Sequence, residues 1–100
     1  MEPAESPVLS GGKTGAHEID GIGAGYVVPL WRTGLADQIE CVSTDDAKAM
    51  AVRRAREKGI FAGTSTGANV VAALRLAAKL GSDAVVVSVM CDTGMKYLNN

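Results

Sequence analysis

The hydrophobic pattern changes character near Gln38 and becomes regular after it. The first regular stretch, "STDDAKAMAVRRAREKG", repeats apolar residues at helical spacing, with charged residues on the opposite side, which predicts an amphipathic helix. Ser43 or Thr44 is a suitable N-cap, and Gly59 suits a left-handed stop. The apolar face comprises Ala47, Met50, Ala51 and Ala55.

The rest of the pattern predicts strands and a second helix. "QIECVS" predicts a short strand, and a second helix is expected from Thr66 to Leu80, apolar almost all round and therefore largely buried. The apolar run from Ala84 to Met90 predicts a strand covered on both faces. This order of elements is typical of a parallel α/β layer, so the expected fold class is α/β, with a partial parallel sheet and flanking helices.

The domain organisation follows from the same division. We expect one α/β domain over residues 1–100, with a glycine-rich loop region at 1–38 and a βαβαβ core at 38–100. Two or three strands are too few to cover a buried strand on both sides. The domain is therefore expected to be incomplete, and to be part of a larger domain or to complete itself by self-association, as a dimer or larger.

Composition and charge exclude several classes of function. The net charge is −1 with interspersed signs, which argues against nucleic acid as a partner, and the apolar runs are shorter than the roughly 20 residues that span a membrane. The polar start is unlike a signal peptide. Two isolated cysteines favour reduced thiols in the cytoplasm, and a single histidine without a CxxC pair argues against a metal site.

Two glycine-rich stretches resemble nucleotide-binding motifs incompletely. "GGKTG" has the end of a phosphate-binding P-loop, but Pro7 stands where that motif requires its first glycine. "GIGAGY" resembles a dinucleotide fingerprint, but Tyr26 replaces its third glycine and Pro29 interrupts any following helix. Both stretches fit turns in which the backbone approaches another group closely.

"GTSTG" fits the nucleophile elbow G-x-S-x-G, which makes Ser65 a candidate nucleophile. No histidine follows it to act as a base, and His17 precedes it, so a hydrolase is disfavoured. Two interpretations remain open for Ser65. It caps the second helix together with Thr66, or it presents its hydroxyl to a polar ligand atom at the helix start.

The other polar and sulfur-bearing residues have structural interpretations. His17 is expected to be a hydrogen-bonding loop residue rather than a base, and Cys91 a small buried residue. We predict no catalytic residue in this chain.

Four stretches in register resemble one enzyme family. They are "EPAESPVLSGG", "HEIDGIGAGYVVP", "GIFAGTSTGANVVAAL" and "VMCDTGMKYLNN". Together they resemble pyridoxal-phosphate-dependent cysteine synthases and the related cystathionine β-synthases, which share the fold of the tryptophan synthase β-subunit. The resemblance covers essentially the whole chain and implies part of the large domain of a fold-type II pyridoxal-phosphate enzyme.

The resemblance implies roles for specific residues. The position of Ser65 hydrogen-bonds the pyridine nitrogen of pyridoxal phosphate, a neutral contact that suits β-replacement of an activated serine by sulfide or a thiol. Cys91 and Asp92 match the loop that passes beside the ring. The substrate side of the cofactor is matched by Gly21, Ile22, Gly23, Ala24 and Gly25.

The resemblance also implies what this chain does not supply. The family's Schiff-base lysine and phosphate-binding loop precede the matched segments, so the isolated chain is expected to be inactive and an N-terminal half is a possible partner. An alternative within the class is a relative of threonine synthase or of serine and threonine dehydratases. An alternative outside it is a non-enzymatic α/β module that self-associates or binds a partner.

Overall fold

The computed structural model describes residues 1–98 as a mixed α/β arrangement, in agreement with the expected fold class. In chain order its elements are β1 (Glu2–Pro3), a 3-10 turn (Val8–Ser10), β2 (Cys41–Val42), α1 (Thr44–Lys58), α2 (Thr64–Leu80) and a second 3-10 turn (Gly94–Tyr97).

Helix α1 has the ends that its sequence predicts. Ser43 is the N-cap, and its hydroxyl accepts a hydrogen bond of 3.1 Å from the Asp46 amide. Gly59 ends the helix in the left-handed conformation, with φ of 66°. The carboxylate of Glu5 also accepts from the Thr44 amide, at 2.8 Å and 3.2 Å. A side chain remote in sequence therefore stabilises the positive end of α1.

Helix α2 begins two residues earlier than expected. Its N-cap is Gly63, which makes no side-chain cap, and Thr64, Ser65 and Thr66 form the buried first turn. The hypothesis that Ser65 and Thr66 cap this helix is therefore wrong. The expected burial is also wrong beyond this turn, since Leu74 and Leu80 are about half exposed. Leu76 and Ala77, on the other side of the same turns, are half-buried.

The sheet is smaller than the pattern predicts. β1 pairs in parallel with β2, Glu2 opposite Cys41 and Pro3 opposite Val42, so only the centre of "QIECVS" is a strand. The expected strand from Ala84 to Met90 is not among the strands of residues 1–98, and Val85 is 89% exposed. A strand requires a hydrogen-bonded neighbour, and a run of valines does not supply one.

The core lies where β2 meets the two helices. Its fully buried members are Ile19, Val42, Ala47 and Ala68. α1 and α2 approach closely because Gly67 has no side chain: a Cβ there would overlap the Ala47 carbonyl oxygen. Among residues 1–98 no helix is long and apolar enough to cross a membrane.

Candidate cofactor site at the amino end of α2

The amino end of α2 is buried and has no side-chain cap. Ser65 is 4% exposed, and its neighbours Thr64 and Thr66 are each 6% exposed. Gly63 is required here because a Cβ would overlap the Asp92 carboxylate and lie 2.5 Å from the Tyr97 ring. The glycine thus lets a later segment of the chain approach the first turn of the helix.

That later segment, residues 89–94, is hydrogen-bonded to the chain around the helix start. The Cys91 amide donates to Thr66 Oγ1 at 3.1 Å, and the Gly94 amide donates to the Phe61 carbonyl at 3.0 Å. An antiparallel bridge joins Ala62 to Thr93. The structure therefore brings Ser65, Cys91 and Asp92 into one corner, which we call the α2 corner.

Two details of the α2 corner differ from the sequence analysis. Cys91 is exposed rather than buried, so that expectation is wrong. Its amide connects it to α2 through Thr66, and its Sγ lies 3.6 Å from Asn69 Nδ2. Helix α2 also binds the segment through Asn69, whose Nδ2 donates to the Val89 carbonyl at 3.1 Å. The sequence analysis did not single out Asn69, although an amide one turn after "GTSTG" is a suitable partner for a neighbouring backbone.

Asp92 is the charged group of the α2 corner. Its Oδ2 accepts a hydrogen bond of 2.8 Å from the Tyr97 hydroxyl and lies 3.4 Å from Lys96 Nζ. Its Oδ1 is buried and has no hydrogen-bond partner among residues 1–98. A buried carboxylate oxygen without a partner is costly, and it lies at a helix end whose dipole favours negative charge.

Tyr97 was not assigned a role from the sequence. Burial, followed by the hydrogen bond to the Asp92 carboxylate and the charges of Asp92 and Asp20, raises the pKa of Tyr97 to about 12. The tyrosine is therefore a firm hydrogen-bond donor at neutral pH. The short turn between Asp92 and Tyr97 is the only sequence signal that would have indicated this pair.

The glycine loop, Gly21–Gly25, is the second part of the candidate site. Gly21 and Gly25 both have φ of 86°, which favours glycine. The loop lines a cavity of about 460 Å³ together with Ser6, Leu9 and Tyr26. Among the described residues, the lining of this cavity does not include Ser65, Cys91 or Asp92.

A larger cavity adjoins both parts. It has a volume of about 700 Å³ and is lined by Val52 and by six residues with polar groups, His17, Glu18, Asp20, Lys48, Thr64 and Tyr97. Thr64 belongs to the first turn of α2, and Asp20 immediately precedes the glycine loop. The cavity thus lies next to both parts, although neither Gly21–Gly25 nor Ser65, Cys91 and Asp92 belong to its lining.

Three lysines of the chain are engaged in ion pairs. Lys48 pairs with Glu18, Lys79 with Glu40 and Lys96 with Asp92. These contacts matter for any ligand that carries an aldehyde or a phosphate, because a lysine is the usual partner of both.

The chain belongs to the family described as pyridoxal-phosphate dependent enzyme, whose model matches residues 1–92. This match confirms the resemblance found in the sequence. The fold class is supported by the same family.

The chain is similar to cysteine synthases over nearly its whole length. It is 44% identical over 99 residues to a probable cysteine synthase of Bacillus subtilis, covering 99% of this chain and 32% of that protein. The crystal structure of O-acetylserine sulfhydrylase isoform 3 from Entamoeba histolytica matches with a TM-score of 0.96 at 40% identity, covering 99% of this chain and 30% of that one.

A third relative has a different name within the same group. The O-acetylserine-dependent cystathionine β-synthase of Helicobacter pylori matches with a TM-score of 0.91 at 33% identity, covering 99% of this chain and 32% of that one. The chain therefore spans about a third of the length of the relatives that it matches.

Proposed function

We propose that this chain forms the part of a pyridoxal-phosphate-dependent β-replacement enzyme that contacts the cofactor ring and one side of the substrate. The observation that carries this proposal is the α2 corner. A buried serine lies in the first turn of an uncapped helix, beside a carboxylate oxygen without a partner among the described residues. The similarity to cysteine synthases over 99% of the chain supports it.

The residues of the α2 corner fit the ring of the cofactor. The Ser65 hydroxyl would donate a hydrogen bond to the ring nitrogen, and Cys91 and Asp92 would lie beside the ring. Pyridoxal phosphate, when bound, supplies an electron sink for bond cleavage at an amino acid. A neutral hydroxyl contacts this ring without requiring a permanent charge on its nitrogen.

The chain fits the other parts of the cofactor less well. The resemblance implies that the family's Schiff-base lysine and phosphate-binding loop precede the segments matched here, and Lys48, Lys79 and Lys96 are engaged in ion pairs. A single hydrogen bond from Ser65 contributes roughly 0.5–1.5 kcal/mol. We therefore propose that the isolated chain binds the cofactor weakly and is inactive without further residues.

The substrate class is an activated serine, whose β-substituent is replaced by sulfide or a thiol. The names of the cysteine synthase and cystathionine β-synthase relatives support this choice over a dehydratase. The glycine loop, Gly21–Gly25, would form the substrate side of the site. Its main chain offers amide and carbonyl groups to an amino acid without side chains in the way.

We also propose that the chain associates with itself or with an N-terminal half in the cytoplasm. Val85, Val87 and Val89, at alternate positions, are 89%, 85% and 65% exposed. Such a row of exposed valines is unusual on a monomer and is typical of a surface that another chain covers. The two free cysteines fit a reducing compartment.

The experiment that tests the cofactor contact uses deoxypyridoxine phosphate, a ring analogue without the aldehyde. It is titrated into the chain while backbone amide shifts are followed by NMR. We expect shifts confined to the amides of residues 62–67 and 91–94, reduced in Ser65→Ala. Ser82→Ala, at an exposed turn, is the matched control. Shifts of equal size in the Ser65→Ala variant and in the unsubstituted chain would contradict the proposed contact.

A further inference from the structure

His17 connects two points of the chain with the two nitrogens of its ring. Nδ1 lies 3.1 Å from the Ile19 amide, and Nε2 lies 2.9 Å from the Gly23 carbonyl oxygen. An amide only donates, so Nδ1 must accept. A carbonyl only accepts, so Nε2 must carry the proton. The two contacts together define one neutral tautomer of the only histidine in the chain.

Gly23 packs so closely against the His17 ring that a larger residue would not fit. A Cβ at Gly23 would lie 2.5 Å from His17 Nε2 and 2.6 Å from Pro3 Cγ, and its φ is 61°. The glycine is therefore constrained by space as well as by conformation. Ile19, at the other end of the connection, is 1% exposed and belongs to the core. The ring thus joins the middle of the glycine loop to a residue packed in the core.

We propose that His17 is the positioning residue of the glycine loop and acts through its Nε2–H tautomer. This rests on the proposed function only in that the loop forms the substrate side of the site. The ring fixes the Gly23 carbonyl, and with it the direction of the neighbouring amides. Charged groups of two segments face the same region: Glu18, Asp20 and Lys48 line the adjoining cavity together with His17.

Two conservative substitutions separate the two contacts. His17→Asn places the amide oxygen of the new side chain near the position of Nδ1, so this variant retains an acceptor for Ile19 and loses the donor to Gly23. His17→Gln places a side-chain amide group near the position of Nε2 and retains the donor to Gly23. If the Gly23 contact positions the loop, glutamine rescues it and asparagine does not. If the contact with the Ile19 amide positions the loop instead, asparagine restores the ordered loop and glutamine does not.

The measurements use the full chain. Ring ¹⁵N shifts give the tautomer, amide exchange of Ile19 reports the Nδ1 contact, and ¹⁵N relaxation of Gly23–Gly25 reports the order of the loop. We expect the Nε2–H tautomer in the unsubstituted chain. His17→Gln should keep an ordered loop, with Ile19 exchange accelerated about tenfold, and His17→Asn should keep Ile19 protected, with a mobile loop. Exchange in α1 controls for folding.

Each other outcome overturns the proposal. A mixture of tautomers in the unsubstituted chain shows that the ring makes no stable connection. Rescue by asparagine, or an ordered loop in both variants, shows that Gly23 does not depend on His17. Failure of deoxypyridoxine phosphate to bind would contradict the proposed function while leaving these results unchanged, so the two hypotheses fail separately.

Discussion

Residues 84–88 and 89–94 are successive stretches of the chain that differ in their backbone contacts with the rest of the molecule. In the first part Val85 and Val87 are almost fully exposed, although they are among the most hydrophobic residues of the chain. In the second part Cys91, Thr93 and Gly94 make backbone contacts with α2 and the chain before it, and Gly94 is buried. Such a segment is therefore held in place by the backbone partners that it finds, and hydrophobicity alone does not bury it.

Substitution of Gly67 is expected to have the largest effect on stability. It pushes α2, the helix that residues 89–94 contact, away from α1. Gly67→Ala places a methyl group against the Ala47 carbonyl oxygen, which α1 cannot move without bending. Alanine favours a helix by up to about 1 kcal/mol, but overpacking against backbone costs more, so we expect a net loss of about 2 kcal/mol.

The free energy of unfolding of Gly67→Ala is measured by urea denaturation. Ala78→Leu, an exposed position of the same helix, is the control and should change stability by less than about 0.5 kcal/mol. Equal stability of Gly67→Ala and the unsubstituted chain would show that α1 and α2 do not pack at this point.

Removal of the Tyr97 hydroxyl tests how much the hydrogen bond to Asp92 stabilises residues 89–94. Tyr97→Phe removes the 2.8 Å donor to Asp92 and leaves a carboxylate with a single charged neighbour, Lys96. We expect a loss of about 1 kcal/mol at neutral pH, and faster amide exchange at Cys91 and Gly94 than in Tyr26→Phe, the matched control.

The same pair predicts an alkaline limit to stability. The pKa of Tyr97 is about 12 in the folded chain, above the ordinary value of 10.0, so folding favours the protonated tyrosine. Its contribution is complete below pH 10 and is lost as the pH rises toward 12. Absorbance titration of Tyr26→Phe isolates Tyr97, and a midpoint near 10 would contradict the hydrogen bond to Asp92.

Glu5 gives a smaller, acid-dependent effect at the start of α1. Burial opposes its ionisation, but hydrogen bonds from Thr44 outweigh burial and lower its pKa below the usual 4.5. A lowered pKa means stability that is present above pH 4.5 and is lost as the pH falls through the folded value. Glu5→Gln should flatten this acid limb of the stability curve. Glu57→Gln, on the exposed side of α1, should leave it unchanged.

Val87 is expected to show the smallest effect on stability and a clear effect on association. Val87→Lys changes a side chain that is 85% exposed, so the free energy of unfolding should change by less than about 0.5 kcal/mol. Sedimentation should show weaker self-association, because a charge now lies in the row of valines. A large loss of stability with unchanged association would show that residues 84–88 are packed within their own chain.

The helices were predictable because their signals are local. Spacing, a serine N-cap and a terminal glycine are sufficient to define α1. The predicted start of α2 was wrong because the helix begins after Gly63. Glycine is required there by the close approach of Asp92 and Tyr97, which lie far along the chain. β1 was not expected, since it is a two-residue strand that contains a proline and exists only through its pairing with β2.

The family resemblance singled out the residues of the candidate site, but it did not indicate the hydrogen bonds that hold them in place. Ser65, Cys91 and Asp92 were singled out together, but the Tyr97 donor and the Asn69 contact are visible only once the turn after Asp92 has folded. The tie between His17 and Gly23 likewise depends on ring orientation, which no spacing of residues encodes.

The contact between Gly67 and Ala47 couples the positions of α1 and α2. Where a glycine lets two helices touch backbone to backbone, they share one rigid frame and have no side chain between them to absorb a displacement. Ser65 lies within one turn of this contact on α2, and Thr44, whose amide donates to Glu5, lies within one turn of it on α1. We therefore expect a displacement of the start of α1 to reach the first turn of α2 directly, because backbone meets backbone at the point between them.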